Sequence, residues 1–248
     1  MDAKIILDEI ILAVKEAGKI IINANRTPEM VDEKEGRANF VTTYDKEVQK
    51  FLNNKLLEIL PEAVFVGEEE ESNGIALNGY SFIVDPIDGT TNFIKDYHVS
   101  CISVGLLKDA KPFIGLVFNP YLDETFTAIK GEGAYLNGKR IKVSNQSLEN
   151  GIVIFGTAPY YPNLSKKSFE LAYEYFEKSL DIRRSGSAAI DLCNIACGRA
   201  ELFFELCLSP WDFAAGSLIV EEAGGIVTTI EGHEIDFSNK CSILAKNK

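Results

Sequence analysis

Residues 80–93 constrain this chain more than any other stretch. Tyr80-Ser81-Phe82-Ile83-Val84 is an apolar run of strand length, and it stops at Asp85-Pro86-Ile87-Asp88-Gly89-Thr90-Thr91-Asn92-Phe93. Two carboxylates three residues apart therefore leave the end of a buried strand. Pro86 stiffens the turn between them, and Gly89 lets the backbone tighten into a helix begun by Thr90 and Thr91. A tight turn with an Asx cap would account for Asp88-Gly89 alone. It does not explain why Asp85 should terminate an apolar strand.

The remainder of the chain fits a layered arrangement around such a strand. Residues 5–22 carry Leu7, Ile11, Val14, Gly18 and Ile21 at helical spacing, and residues 23–39 read as a polar, mobile loop. Thr42-Thr43-Tyr44-Asp45 supplies cap residues for a second helix, which buries Val48, Phe51, Leu52, Leu56 and Ile59 and stops at Pro61. Val64–Val66 reads as a short apolar strand. Residues 101–107, 113–118 and 124–129 read as successive strands, and Asn137-Gly138 as a type I′ hairpin. Beyond it, strands at 151–155, 181–183, 200–206 and 226–229 alternate with helices at 166–178, 187–196 and 212–223. This order predicts an α/β (mixed α+β) fold. A soft boundary in the polar residues 144–150 divides the chain into an N-terminal α+β half, residues 1–146, and a C-terminal α/β half, residues 147–248.

Charge narrows the partners. The 248 residues hold 25 basic and 37 acidic side chains, a formal net charge of −12, so nucleic-acid backbone is an unsuitable ligand. An anionic small molecule must be drawn in by something other than net charge, and a bound cation is the natural candidate. No apolar run is long enough to span a membrane, and the start of the chain lacks the marks of a signal peptide; both predict a cytoplasmic protein. The five cysteines contain no C-x-x-C pair, and Cys193 and Cys197 read as apolar filler on a helix. With His98 and His233 the only histidines, a metal site here must be built mainly from carboxylates. Such a site suits Mg²⁺, Mn²⁺ or Ca²⁺ better than Zn²⁺.

Three segments supply those carboxylates. A helix start at Gly89-Thr90 offers N–H groups to phosphate oxygens beside Asp85 and Asp88, the combination that metal-assisted phosphoryl chemistry requires. Glu68, first of four consecutive glutamates, ends the short apolar strand and is a candidate ligand; its neighbours read as a solvated face. Asp212 in Pro210-Trp211-Asp212-Phe213-Ala214-Ala215-Gly216 sits where a helix N-cap belongs and, taken alone, reads as a cap with Trp211 as its staple; joined with Asp85 and Asp88 it would complete a carboxylate cluster drawn from both halves.

Taken in order, Gly67-Glu68-Glu69, the 85–93 segment, Arg184-Ser185-Gly186-Ser187-Ala188-Ala189, and Trp211–Gly216 with Glu222-Ala223-Gly224-Gly225 resemble the signatures of the inositol monophosphatase family across essentially the whole chain. The resemblance implies a five-layered αβαβα sandwich, a homodimer, and Mg²⁺-dependent, lithium-sensitive hydrolysis of inositol monophosphate. Two or three ions per site are implied, with Mn²⁺ as a substitute. Glu68, Asp85 and the Ile87 carbonyl would hold the first ion. Asp85, Asp88 and Asp212 would hold the second, and a weaker third would sit near Glu68. Asp45, Thr90 and Glu68 are the implied catalytic set, Asp45 pairing with Thr90, while Lys34 matches a lysine of the family's catalytic loop. Gly89, Thr90, Ala188, Glu205 and Asp212 are the implied substrate contacts. Ser209 departs from the histidine common in animal members. Two alternatives stay open: a broad sugar-phosphate phosphatase acting on fructose 1,6-bisphosphate or NADP, and a regulatory protein of transcription or RNA complexes.

Overall fold

Apolar residues at three-to-four spacing make two amphipathic helices. α1 (Ala3–Ile22) buries Ile6, Ile10, Val14, Ala17 and Ile21, and its start is capped by the Asp2 side chain accepting from Lys4 N. α2 (Thr43–Ile59) buries Val48, Leu52 and Leu56. In the computed structural model, which describes residues 2–34, 40–69 and 74–248, both helices pack on one face of a seven-stranded sheet. Ahead of α2 lies a small antiparallel pair, β1 (Val31–Glu33) and β2 (Phe40–Thr42). The large sheet runs β3 (Val64–Gly67), β4 (Tyr80–Asp88), β5 (Cys101–Lys108), β6 (Lys111–Asn119), β7 (Glu124–Ile129), β8 (Gly133–Leu136) and β9 (Lys139–Arg140), side by side in chain order. Only the β3–β4 pair is parallel.

After a five-residue helix, α3 (Thr90–Ile94), at the end of β4, the other helices belong to the second half of the chain: α4 (Pro162–Phe176), α5 (Ala188–Ala196) and α6 (Pro210–Glu222). They flank a five-stranded sheet made of β10 (Ile152–Phe155), β11 (Asp181–Arg183), β12 (Leu202–Leu208), β13 (Ile226–Thr228) and β14 (Cys241–Lys246). Its spatial order is β11-β10-β12-β14-β13. Alternation along β12 sorts its side chains. Leu202 and Phe204 join the cluster containing Ala172 of α4, while Phe203 joins the α5–α6 cluster. α5 and α6 thus lie between the two sheets, completing a five-layered αβαβα sandwich.

The middle layer depends on close approach. A Cβ on Gly115 would meet Ala215 O at 2.7 Å, and one on Gly105 would meet the Ala214 Cβ at 3.0 Å. Two strand glycines therefore let α6 settle directly on the large sheet. α6 is buried from Phe213 to Val220 without a polar face, as a helix enclosed by two sheets must be.

The elements shift from the sequence expectations in places. Part of the expected 23–39 loop is ordered as a 3₁₀ turn (Pro28–Met30) followed by β1; residues 35–39 lie outside the described residues. The helix expected at 166–178 starts at Pro162, because proline suits a first helical turn. β14 was not anticipated: it follows a polar stretch, and its partners β12 and β13 determine its conformation. Asn137 and Gly138 take φ of 49° and 73°, as the type I′ turn between β8 and β9 requires. Cys193 is fully buried and Cys197 packs beside it in the core. No helix among the described residues is long and apolar enough to cross a membrane.

Candidate active site

The two carboxylates of β4 share one side of the strand because of an irregularity at Pro86-Ile87. Asp85 pairs with Ser103 of β5 and Asp88 with Cys101, so three steps on one strand oppose two on the other. In a regular strand, residues three apart point to opposite faces. The extra residue, placed where Pro86 has no N–H to offer the ladder, brings Asp88 to the side of Asp85. Gly89 then turns the chain at φ 90°, ψ 42°, a conformation that favours glycine. A Cβ there would also meet Val99 O at 2.9 Å. The helix that follows has only five residues, so its dipole is slight, and its free first-turn N–H groups are what it offers an anion.

Asp212 arrives from the second half. It is not the N-cap expected from sequence: Ser209 is, Pro210 is the first helical residue, and Asp212 occupies the third helical position, its Oδ2 accepting from Ser209 N at 2.7 Å. Ser103 Oγ donates to Trp211 O at 3.2 Å, tying the start of α6 to β5. Asp85, Asp88 and Asp212 each present an oxygen within 4.8 Å of the others.

Each of the three is held differently. Asp85 Oδ1 accepts from Ile87 N at 3.0 Å. Asp88 Oδ2 accepts from Ser187 Oγ at 2.6 Å, Ala189 N at 2.8 Å and Cys101 Sγ at 3.7 Å, leaving Oδ1 clear of these donors. Burial pushes all three carboxyls above the usual range. For Asp85 the charges of Glu68, Asp88 and Asp212 add to the shift. Hard oxygen donors this close, repelling one another out of water, are the donor set a divalent cation fits.

Glu68 is not in that triplet. Lys34 holds it at 3.3 Å and holds the buried Glu69 at 2.6 Å, while Glu69 N donates to Gln49 Oε1. Burial raises the Glu68 carboxyl to about 7 against the opposing charge of Lys34. Glu70 and Glu71, expected as a solvated face, lie outside the described residues.

Asp45 is the third residue of α2 and completes a reciprocal cap. Its Oδ2 accepts from Thr42 N at 2.7 Å, and Thr42 Oγ1 accepts from Asp45 N at 3.2 Å. Oδ1 is left for Thr90 Oγ1, 3.3 Å away. The Ile87 carbonyl lies 3.2 Å from the same hydroxyl and competes for its single proton. Burial lifts Asp45 to about 6, opposed by its bonds from Thr42.

The site opens as a cleft of two connected lobes, of about 240 Å³ and about 180 Å³, with Asp45 behind Thr90 and bordering neither. The first contains Lys34, Glu68, Asp85 and Ile87; the second contains Arg184, Ala188 and Asp191; Asp88, Gly89, Thr90, Glu205 and Asp212 border both. Glu205 is buried, its Oε1 accepting from Ala158 N at 2.8 Å, and burial lifts it to about 7 against the charge of Arg184. Gly156 makes room for it: a Cβ there would overlap Glu205 Oε2 at 1.9 Å.

Several residues of this site escape sequence reasoning. Tyr160 is 45% exposed as a residue and borders both lobes, where desolvation of its hydroxyl, followed by the charges of Glu68, Asp212, Asp85 and Asp88, pushes the phenol upward. It lies in a loop without periodicity, so nothing local marks it. Ser187 and Ala189 fall in the 184–189 segment singled out from sequence, but nothing there marks them as donors to Asp88. Asp191 does carry a signal, a lone acid in the apolar run Ala188–Ala196.

Comparison with known proteins agrees with this architecture. Residues 4–248 match the description of the inositol monophosphatase family. The chain is 40% identical over 240 residues to inositol monophosphatase 2 of Solanum lycopersicum, covering 94% of this chain and 90% of that one. It is 36% identical over 221 residues to the fructose-1,6-bisphosphatase/inositol-1-monophosphatase of Aquifex aeolicus, covering 87% and 80%. Among solved structures, inositol monophosphatase from Anabaena superposes with a TM-score of 0.87 at 31% identity, covering 100% of this chain and 92% of that one.

Proposed function

The chain belongs to the inositol monophosphatase family and is a phosphatase, and from that premise we infer that it hydrolyses inositol monophosphate with the help of Mg²⁺. The observation that carries this reading is the convergence of Asp85, Asp88 and Asp212 beside the Thr90–Asp45 pair. Asp85, Asp88 and Asp212 would hold the cation, with the Ile87 carbonyl and Glu68 as further ligands once Glu68 parts from Lys34. Bound there, Mg²⁺ supplies positive charge for the phosphoryl oxygens and acidifies water.

The protein's own groups do the rest. Thr90 donates a hydrogen bond to Asp45 and turns a lone pair toward the attacking water. As the water oxygen bonds phosphorus, its proton passes to Thr90 and that of Thr90 to Asp45, while the ester P–O bond opposite breaks and the departing alcohol oxygen takes up a proton from solvent. A carboxyl at about 6 accepts a proton near neutral pH far better than a threonine hydroxyl does. The N–H groups of Gly89 and Thr90 face the phosphoryl oxygens as charge builds on them. Glu205 accepts from a hydroxyl of the alcohol portion, with the Ala188 amide at its side. The acidic site without a cation repels phosphate, so productive substrate binding would require the cation first, and Li⁺ would compete for part of the site.

A second reading has one observation in its favour. Arg184 stands exposed on the second lobe, its Nη2 donating to Thr157 Oγ1 at 3.3 Å, and offers a cation to a second phosphate. Phosphate release from inositol 1-phosphate, fructose 1,6-bisphosphate and NADP, each with and without Mg²⁺, tests both readings. Turnover of inositol 1-phosphate that needs Mg²⁺ is expected; turnover unaffected by a chelator would overturn the proposal. Sedimentation of the same preparation reads the homodimer that the family resemblance supports.

A further inference from the structure

For every acid around the cleft except one, each fully buried carboxylate oxygen has a hydrogen-bond partner among the described residues. Asp85 takes an N–H from Ile87, Asp88 takes three donors, Glu205 takes Ala158 N–H and Asp212 takes Ser209 N–H. Asp191 is the exception. It is 2% exposed, Ser185 hydrogen-bonds its carboxyl, and its Oδ1 receives no donor among the described residues. Asp191 is also outside the carboxylate triplet, so cation binding gives it no purpose. A buried acceptor left without a donor is costly, and a fold tolerates one where a ligand completes it.

The position says which ligand. Asp191 and Glu205 both line the second lobe, which joins the first through Gly89, Thr90 and Asp212. A phosphate seated against the triplet therefore projects its alcohol portion toward these two carboxyls. Acceptors on the lining call for hydroxyl donors, and two buried acids disfavour a second anion beside them.

We propose that Asp191 is a specificity-determining residue, which with Glu205 accepts hydrogen bonds from the hydroxyls of a polyol phosphate and so selects a hydroxyl-rich alcohol over a plain one. This rests on the phosphatase reading above and extends it to a residue with no role in holding the cation or moving a proton.

The test is a selectivity ratio: kcat/KM for inositol 1-phosphate divided by kcat/KM for phenyl phosphate, whose alcohol has no further hydroxyl. Asp191→Leu and Asp191→Ala, which leave no acceptor at this position, are expected to lower that ratio about tenfold or more, chiefly through KM for the polyol ester. A ratio within about twofold of wild type overturns the proposal. This holds whether both esters suffer alike, as they would if Asp191 only supported the Ser187–Asp88 contact, or neither does. Wild-type protein that cleaves neither ester defeats the phosphatase reading instead, so the two failures are distinct. A wild-type crystal soaked with free inositol decides the matter where the variants do not fold. A hydroxyl within hydrogen-bond distance of Asp191 Oδ1 is expected, and bound inositol that leaves Oδ1 without a donor overturns the assignment.

Discussion

Asp45 and Asp212 occupy the same local setting and serve different ends. Each is the third residue of a helix, and each reaches back to the N–H of the residue preceding that helix, at 2.7 Å. Asp45 spends its other oxygen on the Thr90 hydroxyl, within the same half of the chain. Asp212 turns its carboxyl toward Asp85 and Asp88, which come from β4 of the large sheet in the other half of the chain. The cap geometry is a local matter, and the chemistry is decided by what the other half of the fold brings alongside. Asparagine separates the two duties, because its amide oxygen still accepts the N–H while the charge is gone. Asp212→Asn, like Asp88→Asn, is expected to lower kcat by about 10³-fold or more with the fold intact. Asp45→Asn is expected to cost about 10²-fold, since it removes the proton acceptor behind Thr90 but leaves the cation ligands in place. Steady-state phosphate release, with circular dichroism as the fold control, checks the order; equal losses at Asp45 and Asp212 would erase the distinction.

The contrast also has a pH signature. Folding raises the carboxyls of Asp45 to about 6 and of Glu68 and Glu205 to about 7, burial being the largest cause in each. A carboxyl raised by folding favours the folded state at low pH. That contribution is fully present below the unfolded values of 3.8 and 4.5 and is lost as pH rises through the folded ones. The metal-free protein should therefore melt at progressively lower temperature as pH climbs from about 4 to about 7. Divalent cation should reverse this most strongly at the upper end, where the deprotonated carboxylates bind it and few protons must be displaced. Differential scanning calorimetry with and without Mg²⁺ reads both effects, and a cation-induced rise in Tm that shrinks with increasing pH contradicts them. Asp212→Asn removes one repelling charge from the cluster, so its metal-free melting temperature at neutral pH is expected to exceed that of wild type.

Much of this arrangement can be read along the chain, for identifiable reasons. Helical spacing in α1 and α2, the Thr42–Asp45 cap and the Asn137-Gly138 turn are local signals with local causes. The junction at Asp85–Gly89 is legible too, because an acid ending an apolar strand is a chemical anomaly wherever it falls. The bulge that puts Asp85 and Asp88 on one side is not legible, since it exists only relative to the register of β5. The pairing of Lys34 with Glu68 and Glu69 likewise joins residues more than thirty positions apart, and no spacing rule links them. Reading Asp212 as an N-cap overlooks a local clue: Pro210 prefers the first helical position, which makes Ser209 the cap. β14 takes its strand conformation from neighbours two segments away rather than from its own composition.

The smallest effect separates the two caps themselves. At α2 the Thr42 hydroxyl accepts from Tyr44 N and Asp45 N, both at 3.2 Å, and also bonds Asp45 Oδ2. At α6, the contact to Asp212 runs through the Ser209 backbone N–H, which a side-chain substitution leaves in place. Thr42→Ala should therefore cost about 1 kcal/mol of stability. It should also push the Asp45 carboxyl further above about 6, because the lost bond is one that favours the charged form. The acid limb of kcat, where turnover falls as Asp45 becomes protonated and stops accepting from Thr90, is expected to move to higher pH. Ser209→Ala removes no such bond from Asp212, and its acid limb should move less. Chemical denaturation and pH–rate profiles of the two variants make the comparison. A larger shift in Ser209→Ala would mean that Asp212, rather than Asp45, sets the low-pH limit.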